Sequence, residues 1–485
     1  MAHRSHISAR LAILAFLLLL ALAPLRADIG FWLDAPTSRS NPRDPQSSHK
    51  PYKLAATATP TQATTAGPSS TPTCSPAASA AATSTETQTA AASPVPSATP
   101  SMTCSPTPSP SSTPLSAVFT HPGAWSIAAE LDYVKAQIAA GSQPWAGQLT
   151  RLESSSQGSQ APSYGSLSNS NGILYACTGD ANLGQADSEA AYAQALAWYF
   201  TGNATYANRS IAILNAWAGL QSIQGCTSAT QQNMLDAGWF GTDFANAAEI
   251  MRAYPGWPAA SIAAFQAMLK RAFYPSLNTM STWNGNVDLT QIDGMMCMAV
   301  FNDDQAEFNA GLARLATRMK AYFYWPTYTS YSSIPAISGD GGNIPSFWYS
   351  PASWITGLEQ ETCRDYGHHV QFGLNSAIHA AEVAWHQGTD VYTTYQPALV
   401  PALELLSLQL SSGSLQGACS ATNASETYNG DINDTFEMAY NHYAGRKGLS
   451  LPNTQTLIMS YIRPNMSWQA MLNLCYETLT HAGVD

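Results

Sequence analysis

Charge is scarce in this sequence: only 11% of its 485 residues are Asp, Glu, Lys or Arg. Cations are the rarer sign. Of the 20 Lys and Arg, seven precede residue 117, and of the 31 Asp and Glu, four do, which leaves a net charge of −14 on the remainder. An acidic body with few cations excludes nucleic acid as a partner, because phosphate contacts need a basic face. It also excludes broad electrostatic capture of a polyanion, so an anionic ligand must be held by a few local cations. Strand-like alternation is rare. The cysteines show none of the paired spacings of a metal site, and no metal or cofactor is expected.

The first quarter lacks any apolar face. Residues 1–23 carry Arg4 and Arg10, an apolar run over 11–22 and a small-residue cleavage site at Ala21-Leu22-Ala23. They read as a secretory signal peptide, too short to span a bilayer comfortably. The mature chain is therefore expected to be extracellular, free of the membrane and monomeric. Residues 24–116 form a stalk, dominated over 55–116 by Ser, Thr, Pro and Ala. Nothing there offsets the entropy of ordering, so disorder and O-glycosylation are expected. The body runs from 117 to 485. Its six cysteines (Cys177, Cys226, Cys297, Cys363, Cys419 and Cys475) allow three disulfides. Cys177 and Cys226 flank one helical hairpin and are expected to pair. Sequons at Asn203, Asn208, Asn423, Asn433 and Asn465 fit a glycosylated exterior.

Helical periodicity fills the body. Helices are expected over 126–140, 187–200, 234–254, 258–273, 287–301, 304–323, 364–387, 396–410, 435–447, 454–462 and 467–480, with another after the turn at Thr201-Gly202-Asn203. A Ser/Gly-rich loop is expected over 153–186. Antiparallel helix pairs with short turns suggest an all-α fold of stacked hairpins closing into an (α/α) toroid. A long insertion over 325–360, rich in Tyr, Trp, Ser and Gly, is expected to be a lid or a sugar-stacking rim.

Three stretches carry possible chemistry. Arg364, His368, Gln371, Asn375, His379, Glu382 and His386 step by 4, 3, 4, 4, 3 and 4, one stripe on a helix face. A solvated face would show Lys and Glu, whereas His, Gln, Asn and Arg point to a wet cleft. Trp283-Asn284-Gly285-Asn286 precedes an apolar helix. Asn286 there can cap the helix or present its amide and nearby N–H groups to an anion. In Phe436–Arg446, His442 and Arg446 are four apart and Tyr440 and Tyr443 three apart, so each pair can meet on one face. A cation beside a tyrosine favours its phenolate.

These motifs, with Ala191–Asn203 and Ile213–Ala218, resemble the alginate-lyase superfamily of helical-toroid polysaccharide lyases, and most resemble polysaccharide lyase family 38, whose members act on glucuronan or alginate. The resemblance covers roughly 120–480. Asn-Gly-Asn stands after Trp283 where classical alginate lyases have an adjacent Asn-His pair, and Tyr366 stands where relatives often have Gln. The resemblance implies β-elimination on a polyuronate, an anionic polysaccharide. The C5 proton is removed, charge on the enolate is stabilised and O4 is protonated. Asn286 and His368, with Arg364, are the candidates for stabilising that charge. Tyr440 is implied as the acid and also as a base, with His368 the other candidate base and Arg446 steadying the phenolate. Trp283, Gln371, His442 and Tyr443 complete the set as substrate contacts. Two competing readings are a glycoside hydrolase using carboxylates such as Glu361 and Asp365, and a non-catalytic wall glycoprotein or carbohydrate binder.

Overall fold

The computed structural model describes residues 118–485 except 338, 366, 413–417, 420–431, 466–471 and 485. The leader, the stalk, Tyr366 and Asn423 lie outside the described residues.

Among the described residues, apart from the short turns Tyr274–Leu277, Ile344–Phe347 and Arg463–Asn465, the helices are α1 (Ala128–Ala139), α2 (Trp145–Ser154), α3 (Gly179–Thr201), α4 (Ala204–Trp217), α5 (Gln232–Met251), α6 (Ala259–Met268), α7 (Gly285–Phe301), α8 (Gln305–Tyr322), α9 (His368–His386), α10 (Val391–Ser412), α11 (Glu437–Tyr440), α12 (Pro452–Leu457) and α13 (Glu477–Thr480). Each of α6, α11 and α12 runs on into a π-helical turn: Leu269–Phe273, Asn441–Arg446 and Ile458–Ile462. Among the described residues one pair of short parallel strands, β1 (Ile173–Tyr175) and β2 (Ser222–Gln224), was not foreseen.

Packing makes a closed ring. Helix α3 packs on α5, α5 on α7, α7 on α9, α9 on α11, α11 on α13, α13 on α1, and α1 on α3. Outside it, α4 covers α3, α8 covers α7, α10 covers α9, and α12 covers α10. This is the expected α/α toroid. The inner helices explain themselves by composition. All of α7 is buried, and so is nearly all of α5. Most polar groups of a helix enclosed on every side are paired. Asp288 does so with Arg314 and Arg318, and Gln291 with the carbonyls of Ser276 and Thr279.

Disulfides join Cys177 to Cys226, as expected, and Cys363 to Cys419. A third does not form, because Cys297 and Cys475 are separate buried thiols. The insertion folds over a small core of its own, made by Tyr324, Ile334, Trp348, Leu358, Cys363, Ala418 and Cys419. Of the sequons, Asn203 and Asn208 are exposed. Asn433 is buried, with its backbone N–H on Gln371 Oε1 at 3.1 Å, which removes it from the glycosylated exterior.

Candidate active site

The N-terminal rim of α7 and α9 brings together residues from three distant stretches. Helix α7 begins after Asn284, and Asn286 stands in its first turn. Two orphan N–H groups there are met by side chains from the end of the insertion. Gly285 N donates to Gln360 Oε1 at 2.6 Å, and Asn286 N to Glu361 Oε2 at 3.1 Å. Asn286 Nδ2 adds a bond of 2.7 Å to Glu361 Oε1. The anion at this helix start is thus the protein's own Glu361, where backbone donors and the dipole favour negative charge. Tyr322 Oη also donates to Glu361, at 3.2 Å, and reaches it across Gly373. A Cβ on Gly373 would fall 1.9 Å from that phenol oxygen, so only glycine admits it.

Arg364 is the cation of the rim. Its Nη1 donates to Glu361 Oε1 at 2.9 Å, and its guanidinium lies 5.7 Å from the centre of the Tyr349 ring. Burial opposes its charge, but Glu361 and the neighbouring Tyr349 and Asp365 hold its pKa above the usual value. Burial likewise pushes Asp365 up, and its hydrogen bond to His369 and the nearby charge of Arg364 outweigh that and hold it low. Tyr349, in the insertion expected to be a lid or a sugar-stacking rim, was not among the candidate site residues. Its backbone is left-handed, with φ of 58°, and Asn284 Nδ2 donates to its phenol oxygen at 2.8 Å. The aromatic run Phe347-Trp348-Tyr349 was the available signal.

His368 opens α9, half-buried, after Gly367 makes the turn with φ of 118°. The expected helix start at Arg364 is therefore four residues early. The His368 ring lies 4.8 Å from that of His369 and 5.7 Å from that of Phe372. Phe372 in turn lies 5.5 Å from Trp239 on α5. Trp283, half-buried, sits in the turn before α7 and packs against the main core.

The rest of the α9 stripe does not line a wet cleft. Gln371 is buried, donating to Gly367 O and accepting from Asn433 N. His379 is enclosed between Asp293 Oδ2 at 3.1 Å and Glu477 Oε1 at 2.8 Å. Glu382 accepts from Arg446 and from the Tyr392 phenol, and His386 reaches Ala124 O and Glu130. Past its first turn His379, Glu382 and His386 face polar groups of other elements, while Asn375 is buried with both amide atoms unpartnered among the described residues; Gln371 as a substrate contact is corrected to a tether inside the ring.

The 435–447 stretch is corrected likewise. Tyr443 is buried, and its phenol donates to Tyr392 O at 3.0 Å. His442 is buried, stacked on Tyr392 at 3.7 Å between centroids, and burial lowers its pKa to about 4. Arg446 binds Glu382 at 2.9 Å and Glu130 at 2.7 Å. Glu382 follows His368 by 14 residues on α9, about 21 Å along the axis. Arg446 therefore stands at the opposite end of the ring from the rim. Tyr440 is half-buried. Burial raises its pKa, and the cation that opposes this is Arg463, itself bound to Glu437 by bonds of 2.6 and 2.8 Å. The phenol of Tyr440 thus has Arg463 in the place assigned to Arg446.

Residues 175–322, from β1 to the end of α8, match the family model described as alginate lyase. This bears out the superfamily resemblance and, with it, the polysaccharide-lyase class. No curated protein matches the chain in sequence. Among solved structures, a variant of alginate lyase A1-III complexed with a tetrasaccharide is similar, at 15% identity and a TM-score of 0.49, over 70% of this chain and 92% of that one. Alginate lyase A1-III from Sphingomonas species A1 is similar at 14% identity and a TM-score of 0.46, over the same shares.

Proposed function

We propose that this polysaccharide lyase of the alginate-lyase superfamily acts outside the cell, cleaving a polyuronate (glucuronan, or alginate rich in mannuronate) by β-elimination across C4–C5. The observation that carries the reading is the convergence of Arg364, Asn286, His368 and Tyr349 on one helix rim in a body with few cations. Arg364 and the Asn286 amide already hold a carboxylate, that of Glu361. A uronate carboxylate entering there competes for the same donors, and neutralising it acidifies the C5 proton. His368 takes that proton as base, and a phenol gives a proton to the departing O4. The resemblance implies Tyr440 for that phenol. We assign it to Tyr349, because Tyr349 shares Asn284 and Arg364 with the rim whereas Tyr440 has Arg463, Glu437 and Glu404 as its charged neighbours.

The hydrolase reading needs two carboxylates at work on a glycosidic bond. Glu361 and Asp365 are both committed to protein partners, so elimination fits better. The deciding experiment offers glucuronan, polymannuronate and polyguluronate to the enzyme and follows near-ultraviolet absorbance of the new C4–C5 double bond. Reducing ends without that absorbance would establish hydrolysis instead.

A further inference from the structure

Beyond the rim lies a cavity of about 270 Å³ between the start of α3 and the start of α5. At roughly 30 Å³ per water it holds about nine waters, room for one sugar ring. Thr178, Asn182, Gln185, Gln232 and Asp236 give it polar walls, and Trp239 and Phe240 give it aromatic ones. The Cys177–Cys226 disulfide fixes one edge. Trp239 connects it to the rim through Phe372 and His368. An aromatic face with planar amides around it is the chemistry that binds a sugar.

Asp236 is the unusual member. It is 2% exposed. Its Oδ1 accepts from Gln232 Nε2 at 2.8 Å, and its Oδ2 is buried with no hydrogen-bond partner among the described residues. A buried carboxyl oxygen left this way is costly unless a ligand or water meets it. Among the described residues no cation lines the cavity, and Asp236 is its one titratable group. The other acids of the two helices, Asp180, Asp187 and Glu189 on α3 and Asp243 and Glu249 on α5, add no positive charge to it. Leu472, from the segment before α13, adds no charge and gives its N–H to Glu189.

We propose that this cavity is a subsite for one uronate residue of the polymer, in which the Asp236 carboxyl, in its protonated form, donates a hydrogen bond to the sugar carboxylate while Trp239 packs on the ring. The proposal rests on the polyuronate reading above. Carboxylate can bind beside carboxyl only while the proton is held, since two anions in a cation-free pocket repel. Burial pushes the Asp236 pKa up to about 7, which puts the transition near neutrality. Above that value the binding-competent fraction falls about tenfold per pH unit, and the apparent Kd rises in proportion.

The probe is free glucuronate, which has no glycosidic bond to lose, titrated into the full chain by tryptophan fluorescence or calorimetry, with glucose as the neutral control. Glucuronate Kd is expected to rise about fivefold from pH 7 to pH 8 and about tenfold more from pH 8 to pH 9 in the wild type. It should stay flat in Asp236→Asn, whose amide donates at every pH, while glucose shows no pH dependence in either. The same pH slope in Asp236→Asn, a flat wild type, or no glucuronate binding at any pH overturns the subsite. The lyase reading fails separately, through absence of unsaturated product from every polyuronate, and the glucuronate titration stands whatever that outcome.

Discussion

Replacing Arg446 with alanine separates a structural cation from a catalytic one. Arg446 and His386 face Glu130 and Glu382 in a buried cluster, and burial is opposed there by both carboxylates so that His386 is pushed up to about 10. At neutral pH two cations meet two anions. Removing Arg446 leaves one uncompensated buried carboxylate, and breaking a buried pair in this way costs about 3–5 kcal/mol. Unfolding entropy of about 2.1 cal/mol/K per residue gives a body of roughly 370 residues about 0.8 kcal/mol/K, so Tm should fall by about 4–6 °C. The deficit should narrow between pH 8 and pH 5, because a carboxylate stripped of its cation takes up a proton more readily. Turnover, measured well below Tm on the best polyuronate, should change little, since the cluster lies about 21 Å along α9 from His368. Loss of turnover with Tm unchanged would refute this reasoning and return Arg446 to the phenolate.

Tyr349→Phe should lower turnover at least about a hundredfold, the low end for losing a general acid, whereas Tyr440→Phe should cost far less. The reverse result gives the role to Tyr440. Tyr443→Phe should leave turnover alone and cost about 1 kcal/mol of stability from its lost bond to Tyr392 O, read by denaturant titration. His379 carries a pH signature. Burial lowers its pKa, but the bonds to Asp293 and Glu477 outweigh that and raise it to about 9. A pKa raised on folding means stabilisation that is full below about 6.5 and lost as pH rises through about 9, roughly 3 kcal/mol in all. Tm should therefore decline between pH 7 and pH 10, and a flat profile would show that His379 is neutral in its pocket. Cys363→Ser with Cys419→Ser should cost about 2–4 kcal/mol and reduce turnover more than the disulfide pair Cys177–Cys226 does, because Cys363 adjoins Arg364; equal turnover losses would contradict the insertion's role in holding the rim.

What could be read from the sequence follows from what each residue faces. Two helices were legible for different reasons, Gly285–Phe301 by its apolar content and Gln305–Tyr322 by the Asp304 cap before an amphipathic pattern: 287–301 and 304–323 were expected. Residues 179–186 were read as loop, since Gly-Asp-Ala-Asn-Leu-Gly-Gln-Ala is poor in apolar periodicity. There the Thr178 cap, which accepts from Asp180 N, and tertiary packing outweigh propensity. Helix α10 contains Pro397 and Pro401 and still starts at Val391, five residues before the expected start. For 467–480, only Glu477–Thr480 is helical among the described residues. The strands, three residues each, are too short to alternate visibly.

The site shows a sharper limit. A stripe of Arg, His, Gln, Asn and Glu along α9 reads identically whether it faces water or the polar groups of adjoining helices. In an inner ring the second is the commoner outcome, because most buried polar groups are paired on neighbouring elements, although Asn375 has no partner among the described residues. His379 meets Asp293 from α7 and Glu477 from α13, and Glu382 meets Arg446 from the π-turn after α11. No local pattern encodes these pairs, since 86 and 98 residues separate His379 from its two carboxylates. Only where α9 ends does the ring open, and there the helix start leaves donors that must be met from outside. The functional half of the stripe is therefore its first turn and the turn before it, Arg364 and His368, and the partners that complete it come from the insertion, where Glu361 and Tyr349 had no periodicity to announce them.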